Sequence, residues 1–502
     1  MNPKQKPAPR RITLALAGAM AFALPAPVLA QDTAPDPPAQ LSLEAAIEIA
    51  ERHNPGYRAE ANNVDVARWD VREAWGALLP GASASAGFQY QAEGDVNFGA
   101  IRVGTTPEAY FSDYSFGFDY FLDGASIARV SLERSQLTAA HANVRAAQIT
   151  LQSQVRRQYV IALGAQDALD VSRREVELAQ ENFDLARARV EIGAAPELEA
   201  TQAEVSLGRA QVDLLTAENS ALNEKLALLR LMGVDLESDV ELTSTFDVFE
   251  PTWETSELVD IAMDGHPQLR ALRANRDAGE SGVRAARLTY LPSLSMQAGW
   301  SGFAREIDES GVLADLDSQA QQCEALNLIL TRLDPPLPAQ DCSITPDMRA
   351  DALDANDAFP FGYEDQPFTA SARVSLPIFQ GFRRQAQIEE AQVLADDARY
   401  ALRAQELQLT GDVVSAHRTL TTAYRAVQIE ARNQQLADQQ LELARERYRL
   451  GGLSYIDLSE ATTLKARADR AYLASVYTFH QALAALEAAV GRPLTTQTTE
   501  SE

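Results

Sequence analysis

The sequence has few aromatic residues, an excess of acidic over basic residues and, beyond its first 30 positions, no long apolar run. Aromatic side chains make up 7% of the 502 residues, which together with a surplus of alanine, glutamine, glutamate and arginine favours long helices over thick globular cores. The formal net charge of −27 argues against nucleic acid or anionic lipid as a partner. Since no later apolar run reaches about 18 residues, no membrane-spanning helix is predicted.

Patterns of catalytic and metal-binding residues are also missing from the sequence. It contains no nucleophile elbow, no phosphate-binding loop and no paired catalytic carboxylates. The five histidines have no metal-ligand spacing; they are His53, His141, His266, His417 and His480. We therefore predict that the protein is not an enzyme and holds no cofactor or metal.

The first 30 residues have the pattern of a secretory signal peptide. Four basic residues precede an apolar run from Ile12 to Phe22, and small residues end the segment at Ala30, which predicts cleavage there. A retained membrane anchor is the alternative, but Pro25 and Pro27 interrupt the run. Cleavage takes the net charge from −27 to −31, and no cysteine follows the site to carry a lipid.

The chain repeats itself in tandem. At an offset of 212 Pro55 falls on Pro267, and at an offset of 258 Gly193 falls on Gly451, which indicates a duplicated unit of some 200 residues. We divide the chain into a signal peptide at 1–30, a first repeat at 31–233, a connector at 234–253, a second repeat at 254–492 and a tail at 493–502.

Two segments in each repeat alternate between apolar and polar residues, a pattern typical of strands. They are residues 82–91 and 113–121 in the first repeat and residues 293–302 and 368–377 in the second. Strands of about ten residues suit either a half-buried soluble sheet or a membrane barrel. Four strands cannot enclose a lumen, and lipid does not tolerate an open edge, so a barrel requires several chains; three would supply twelve strands.

Long proline-free stretches predict long helices. Residues 125–192 contain no proline and would span about 100 Å as a helix. Residues 382–492 also lack proline and are interrupted once, by a turn. Apolar or small residues recur there at steps of mostly three, four and seven, as in a coiled-coil seam; they are Leu420, Ala423, Val427, Gln434, Ala437, Leu441, Ala444 and Tyr448.

Glycines end the long helices at two predicted hairpin tips. Gly193 and Gly451 stand where the left-handed conformation of a helix C-terminus is expected. Pro196 suits the first position of the returning helix, and Ser454 with Asp457 forms a capping box. A helix cap is therefore the first interpretation of Asp457. The predicted tips are residues 193–196 and 451–454.

The segment 304–366 is predicted to be an acidic external loop, because it holds 14 acidic and 3 basic residues. The repeat offset rises from 212 to 257 across it, so the second repeat carries 45 extra residues. In an exported protein Cys323 and Cys342 are expected to form a disulfide, which would contribute about 3 kcal/mol; two free thiols are the alternative. A solvated acidic surface is the favoured interpretation over calcium binding, because the candidate calcium ligands match no known loop spacing; they are Asp351, Asp354 and Asp357.

Over nearly the whole mature chain, the sequence resembles the TolC family of bacterial outer-membrane efflux and secretion channels. The duplication, the Leu-Pro pairs before strands, SLPIFQGFRR at 375–384 and YRLGGLSYIDLSEATTL at 448–464 carry the resemblance. It implies a mixed α/β membrane protein, mainly α, with long antiparallel coiled-coil hairpins and four strands per chain in a shared twelve-stranded trimeric β-barrel. It also implies the outer membrane of a Gram-negative bacterium, with the helical part in the periplasm.

The resemblance implies a passive exit duct of a tripartite efflux or type I secretion system, gated at its periplasmic end. By motif match, Asp457 and Glu460 would line the constriction and favour cations, while Glu199 and Tyr448 would be gate contacts. The basic residue that the best-known members place two positions after the tip glycine is Leu453 here. Homotrimerisation, a periplasmic adaptor, an inner-membrane pump and outer-membrane lipid are the implied partners. The adaptor would dock at Gly193, Gly451, Gly452 and Ser454.

A periplasmic coiled-coil scaffold or adaptor without a pore remains the alternative. A scaffold has no need for aromatic residues that all face one side of a strand, as they do from Tyr114 to Tyr120. Drug efflux, metal export and protein secretion would use the same conduit, so the sequence leaves the cargo open.

Overall fold

A computed structural model describes residues 37–99, 101–236, 240–333 and 337–494. The predicted signal peptide and most of the predicted tail lie outside the described residues. The helices are α1 (Leu43–His53), α2 (Pro55–Gly76), α3 (Gly124–Glu191), α4 (Glu197–Met232), α5 (Thr255–Gly265), α6 (Pro267–Leu288), α7 (Glu309–Leu330), α8 (Pro346–Ala355), α9 (Arg383–Arg449) and α10 (Tyr455–Val490). The strands are β1 (Gln40–Leu41), β2 (Gly81–Gln91), β3 (Gly94–Phe98), β4 (Ile101–Thr106), β5 (Ala109–Leu122), β6 (Glu241–Leu242), β7 (Ser293–Ile307), β8 (Glu364–Asp365) and β9 (Thr369–Ser375).

The two halves of the chain build matching sets of helices. Helices α1 and α5 each have 11 residues, α2 and α6 each have 22, and α4 and α10 each have 36. The longest pair, α3 and α9, have 68 and 67 residues. The chain is thus mainly helical, as the sequence predicts, and its long helices form two hairpins. Among the described residues, no helix combines the length and apolarity that a membrane crossing requires.

Local sequence signals set the ends of these helices. Asp123 accepts a hydrogen bond from the Ser126 amide at 2.7 Å and starts α3, because its carboxylate satisfies a donor that the first turn leaves open. Helices α4 and α10 end at Gly233 and Gly491, whose φ angles are 74° and 80°. Glycine adopts this left-handed conformation without a Cβ clash.

The main sheet is antiparallel, in the order β2-β5-β7-β9, with the short β8 also pairing with β7. Strands β5 and β7 are longer than the predicted 113–121 and 293–302, and β9 is shorter than 368–377. The pairing of β5 with β7 continues to Ile307, since ladder hydrogen bonds extend past the alternating segment. A small β3–β4 hairpin between β2 and β5 was not predicted.

The segment 304–366, predicted to be an acidic external loop, contains regular secondary structure. Strand β7 occupies its start, and helices α7 and α8 lie within it. Side chains of Asp308 and Thr345 cap these helices, each by accepting a backbone hydrogen bond at 3.2 Å. Such caps outweigh a composition that suggests a loop. Cys323 and Cys342 are joined by a disulfide, with their Cα atoms 5.7 Å apart.

The largest buried cluster surrounds the middle of α3. It joins α1, α3 and α4 to the parallel pair β1 and β6, and Tyr159 lies fully buried at its centre. The Tyr159 hydroxyl donates to the Leu41 carbonyl at 2.7 Å. A second cluster joins α5, α9 and α10 around Phe479. Two residues of the predicted connector contact these clusters: Phe246 packs against the first and Phe249 against the second.

Candidate functional site

Both hairpin tips lie at the same end of the molecule, where four helices meet. A third buried cluster contains residues of α3, α4, α9 and α10, including Ala186, Ala203, Tyr448 and Tyr455. Small alanines allow the helix backbones to approach closely here. The two tips are therefore one structural unit.

Each tip turns on one left-handed glycine. Gly193 and Gly451 have φ angles of 74° and 78°, a conformation in which a Cβ is strained. Gly452 has no positive φ among the described backbone angles. Pro196 is the N-cap of α4, one position before the first helical position predicted for it, because its extended ψ of 150° places it outside the helix.

Tyr448 and Glu199, the predicted gate contacts, touch each other. The Tyr448 side chain is fully buried, and its hydroxyl donates to Glu199 Oε2 at 2.8 Å. The ring also packs against Tyr455, with centroids 6.0 Å apart. Burial, and then the hydrogen bond to Glu199, raise the pKa of Tyr448 above its ordinary value, so the hydroxyl keeps its proton and acts as a donor. This contact joins α9 to α4.

Sequence reasoning missed a third member of this contact, Arg189 near the end of α3. Its guanidinium lies 4.2 Å from the centroid of the Tyr448 ring. It also donates to the Tyr448 carbonyl and, at 3.4 Å, to the Ala194 carbonyl. The available signal was a basic residue in the last turn of α3, but that pattern usually indicates only a favourable helix end.

Asp457 and Glu460 are both exposed and lie about one turn apart at the start of α10. Asp457 completes a capping box with Ser454: its carboxylate accepts from the Ser454 amide at 3.3 Å, and its own amide donates to Ser454 Oγ at 3.4 Å. A residue three positions on shares its helix face. The cap occupies one side of the Asp457 carboxylate and leaves charge on the exposed face.

Leu453 stands two positions after the tip glycine Gly451. Its side chain is partly buried against the tip cluster, because apolar side chains gain free energy on leaving water. The four residues expected to meet an adaptor are exposed on the outside of the tips; they are Gly193, Gly451, Gly452 and Ser454.

Charged and polar pairs link the two hairpins above the tips. Arg470 of α10 donates to Glu175 of α3 at 2.9 Å and to Asp213 of α4 at 2.8 Å. Further toward the tips, the Asn182 amide donates to Thr462 Oγ1 at 3.3 Å. These bonds tie the first hairpin to α10 of the second.

Within the described ranges, no group of His, Cys, Asp or Glu side chains could hold a metal ion. The aspartates considered for calcium lie on α8 or just after it, with exposed side chains; they are Asp351, Asp354 and Asp357.

The "Outer membrane efflux protein" family model matches residues 46–234 and 342–492 of this chain. The toluene efflux pump outer membrane protein TtgF of Pseudomonas putida is 27% identical over 272 residues, 53% of this chain and 55% of that protein. The nickel-cobalt-cadmium resistance protein NccC of Alcaligenes xylosoxydans xylosoxydans is 25% identical over 280 residues, 56% of this chain and 60% of that protein. The chain therefore spans little more than half the length of these curated relatives.

Solved structures of outer membrane channels share the fold. The Campylobacter jejuni CmeC channel superposes with a TM-score of 0.67 at 19% identity, covering 89% of this chain and 85% of that chain. The open state of the Neisseria gonorrhoeae MtrE channel gives a TM-score of 0.65 at 19% identity, covering 90% and 89%. The family model covers more than half of this chain, and the family consists of efflux channels rather than enzymes. The protein is therefore a member of the outer membrane efflux protein family and is located in the outer membrane.

Proposed function

We propose that three copies of this chain form a channel across the outer membrane, and that the channel is the passive exit duct of a tripartite export system, gated at the hairpin tips. The observation that carries this proposal is that α3 packs against α10 within one chain, whereas the equivalent faces of α9 and α4 are exposed. Because the chain is duplicated, the contact between α3 and α10 predicts how α9 of one copy packs against α4 of the next.

The filled side is the seam between α3 and α10. These helices run antiparallel, with Glu175 against Arg470 and Asn182 against Thr462. Val171 and Leu473 line the same groove between the two helices, and Val171 is 7% exposed. The seam thus buries apolar residues of the first half against the second half.

The open side is the equivalent seam, between α9 of one copy and α4 of the next. The offset of 258 takes Val171 to Ile429 and takes Leu215 to Leu473. Within one chain Ile429 is 60% exposed and Leu215 is 64% exposed. The duplication therefore predicts that Ile429 of one copy packs against Leu215 of the next.

Both helices of the open seam carry a full apolar stripe. Its members are each more than half exposed: Ile429, Leu436 and Leu443 on α9 with Leu450 at its C-cap, and Leu198, Val205, Val212, Leu215 and Leu222 on α4. Steps of seven match the repeat of a coiled-coil seam. Because the two faces differ, the contact is head-to-tail, and such contacts form a ring when the rotation between copies closes.

The strands support the same assembly. The sheet ends in the edges β2 and β9, and apolar side chains along it are exposed, including Phe88, Trp300 and Val374. Twelve strands from three copies would close a barrel, pair both edges and place apolar side chains against lipid.

The tips supply the gate in this proposal. The hydrogen bond from Tyr448 to Glu199 holds α9 against α4 and keeps the tip closed. Three copies would bring six carboxylates, from Asp457 and Glu460, around one axis, where they favour cations over anions. The exposed tip glycines and Ser454 would meet the adaptor, which connects the duct to an inner-membrane pump.

Disulfide trapping tests the assembly. The double variant Leu215→Cys, Ile429→Cys is oxidised in native membranes and run on a non-reducing gel, where dimers and closed trimers are expected. The matched control pairs Leu215→Cys with Leu443→Cys, which lies 14 residues further along α9, about 21 Å away, and is expected to stay uncrosslinked. A protein that is soluble and monomeric without detergent would overturn the channel and favour a scaffold.

A further inference from the structure

Arg189 lies at the tips and contacts both hairpins, and the sequence alone gives it no role. Arg189 extends from α3 to the end of α9, while its second nitrogen binds the carbonyl of Ala194 in the first tip. We infer that Arg189 is a positioning residue of the gate. This inference rests on the proposed function of the tips.

The first part of the contact is electrostatic. The last carbonyls of a helix have no partner within the helix and carry partial negative charge. The Tyr448 carbonyl lies in the last turn of α9, and it accepts from Arg189 of the other hairpin. A guanidinium provides several donors in one plane, so the same group reaches the Ala194 carbonyl as well. The ends of α3 and α9 are thereby held by a single charged group.

The second part of the contact is the stacked ring. The guanidinium lies over Tyr448 at 4.2 Å, within the range of a cation–π interaction. Tyr455 packs on the same ring, so the ring is confined by two neighbours. In this position its hydroxyl reaches Glu199 at 2.8 Å. The contacts run from α3 through α9 to α4, and separating the tips breaks them together.

Two nearby arginines lack these contacts and serve as matched controls. Arg447 is the counterpart of Arg189 at the offset of 258, and it is exposed. Arg187, two residues before Arg189, is 65% exposed at its side chain and pairs with Glu191 one turn along α3 at 3.1 Å. Removal of either one changes the charge at the tip as much as removal of Arg189 does.

The test is the resting conductance of purified, full-length channels in planar bilayers. Arg189→Ala is expected to raise the open probability about tenfold or more, because it removes two charge-assisted hydrogen bonds and the contact with the Tyr448 ring. Arg189→Lys keeps the charge without the planar fork and is expected to fall between wild type and Arg189→Ala. The controls Arg447→Ala and Arg187→Ala are expected to leave the conductance unchanged. If the Arg189→Ala channel does not assemble, Arg189→Gln takes its place.

A double-variant comparison separates positioning from simple loss of stability. The comparison uses the double variant Arg189→Ala, Tyr448→Phe. If Arg189 acts through the Tyr448 hydroxyl, the fold-increase in conductance of the double variant is smaller than the product of the two single-variant fold-increases. Equal rises for the Arg447 and Arg187 controls, or fully multiplicative effects, would overturn the inference.

The inference and the proposed function fail in different ways. If Tyr448→Phe with Glu199→Ala opens the channel while Arg189→Ala does not, the gate stands and Arg189 has no part in it. If none of these variants changes conductance, the gate itself is wrong.

Discussion

Acid is expected to destabilise this protein through one buried histidine. His480 of α10 is 5% exposed, and its ring lies 5.3 Å from that of Phe246 in the connector and 5.2 Å from that of Phe479. Among the described residues its Nε2 has no hydrogen-bond partner. Burial lowers the pKa of His480 from 6.5 to about 4, although the charge of Asp247 and a hydrogen bond to the Phe246 backbone oppose the shift.

The sign of the effect follows from which state binds the proton first. In the unfolded chain His480 is protonated below about pH 6.5, whereas in the folded chain it resists protonation until about pH 4. The free energy of unfolding therefore carries no penalty from His480 above pH 6.5, and it decreases as the pH falls from 6.5 toward 4. The difference between the two pKa values corresponds to about 3 kcal/mol per chain.

The assay is thermal unfolding of the helical signal at pH 7.5, 5.5 and 4.5, compared between the wild type and His480→Gln. Glutamine is polar and does not titrate, so the variant is expected to lose less stability than the wild type between pH 7.5 and 4.5. His266 is also buried with a lowered pKa, but it is present in both proteins and cancels in the comparison. A constant difference between the two midpoints at all three pH values would refute the reasoning.

Three further outcomes are expected. Asp457→Asn with Glu460→Gln keeps a side-chain acceptor at the cap and is expected to weaken the cation preference of the channel in bilayers. Unchanged selectivity would refute the proposed carboxylate ring. Gly164→Ala would place a Cβ 2.8 Å from the Tyr477 ring and is expected to cost about 1–3 kcal/mol in chemical denaturation. Gly208→Ala, with nothing within 4 Å, is its control and is expected to stabilise α4 by about 0.5–1 kcal/mol. Thiol labelling of the unreduced protein is expected to find no free cysteine, and two reactive thiols would contradict the disulfide that joins Cys323 of α7 to Cys342, which precedes α8.

Features set by neighbouring residues could be predicted from the sequence. The turn at Gly451 and the capping box of Ser454 and Asp457 depend on positions within a few residues of each other, and the structure has both. The repeat offset likewise predicts equal helices in the two halves. The family resemblance brought Tyr448 and Glu199 together by motif, although 249 residues separate them.

Features that depend on distant partners could not be predicted. Arg189 contacts Tyr448 across 259 positions, and no local pattern distinguishes it from Arg187 or Arg447. Composition was misleading in the acidic segment, where the caps at Asp308 and Thr345 produce helices. The burial of Leu453 against the tip cluster also follows only from where four helices meet.

The buried cluster around Tyr159 holds α3 near its middle, so the part of α3 beyond it can act as a lever. Residues 160–191 of α3 extend from this pivot to the tip, an arm of about 48 Å. A tilt of about 6° about the pivot displaces the far end by about 5 Å, with every hydrogen bond of the helix intact. In the proposed channel, such a tilt would separate the tips while the strands at the opposite end keep their pairing, so that the duct would widen without unfolding.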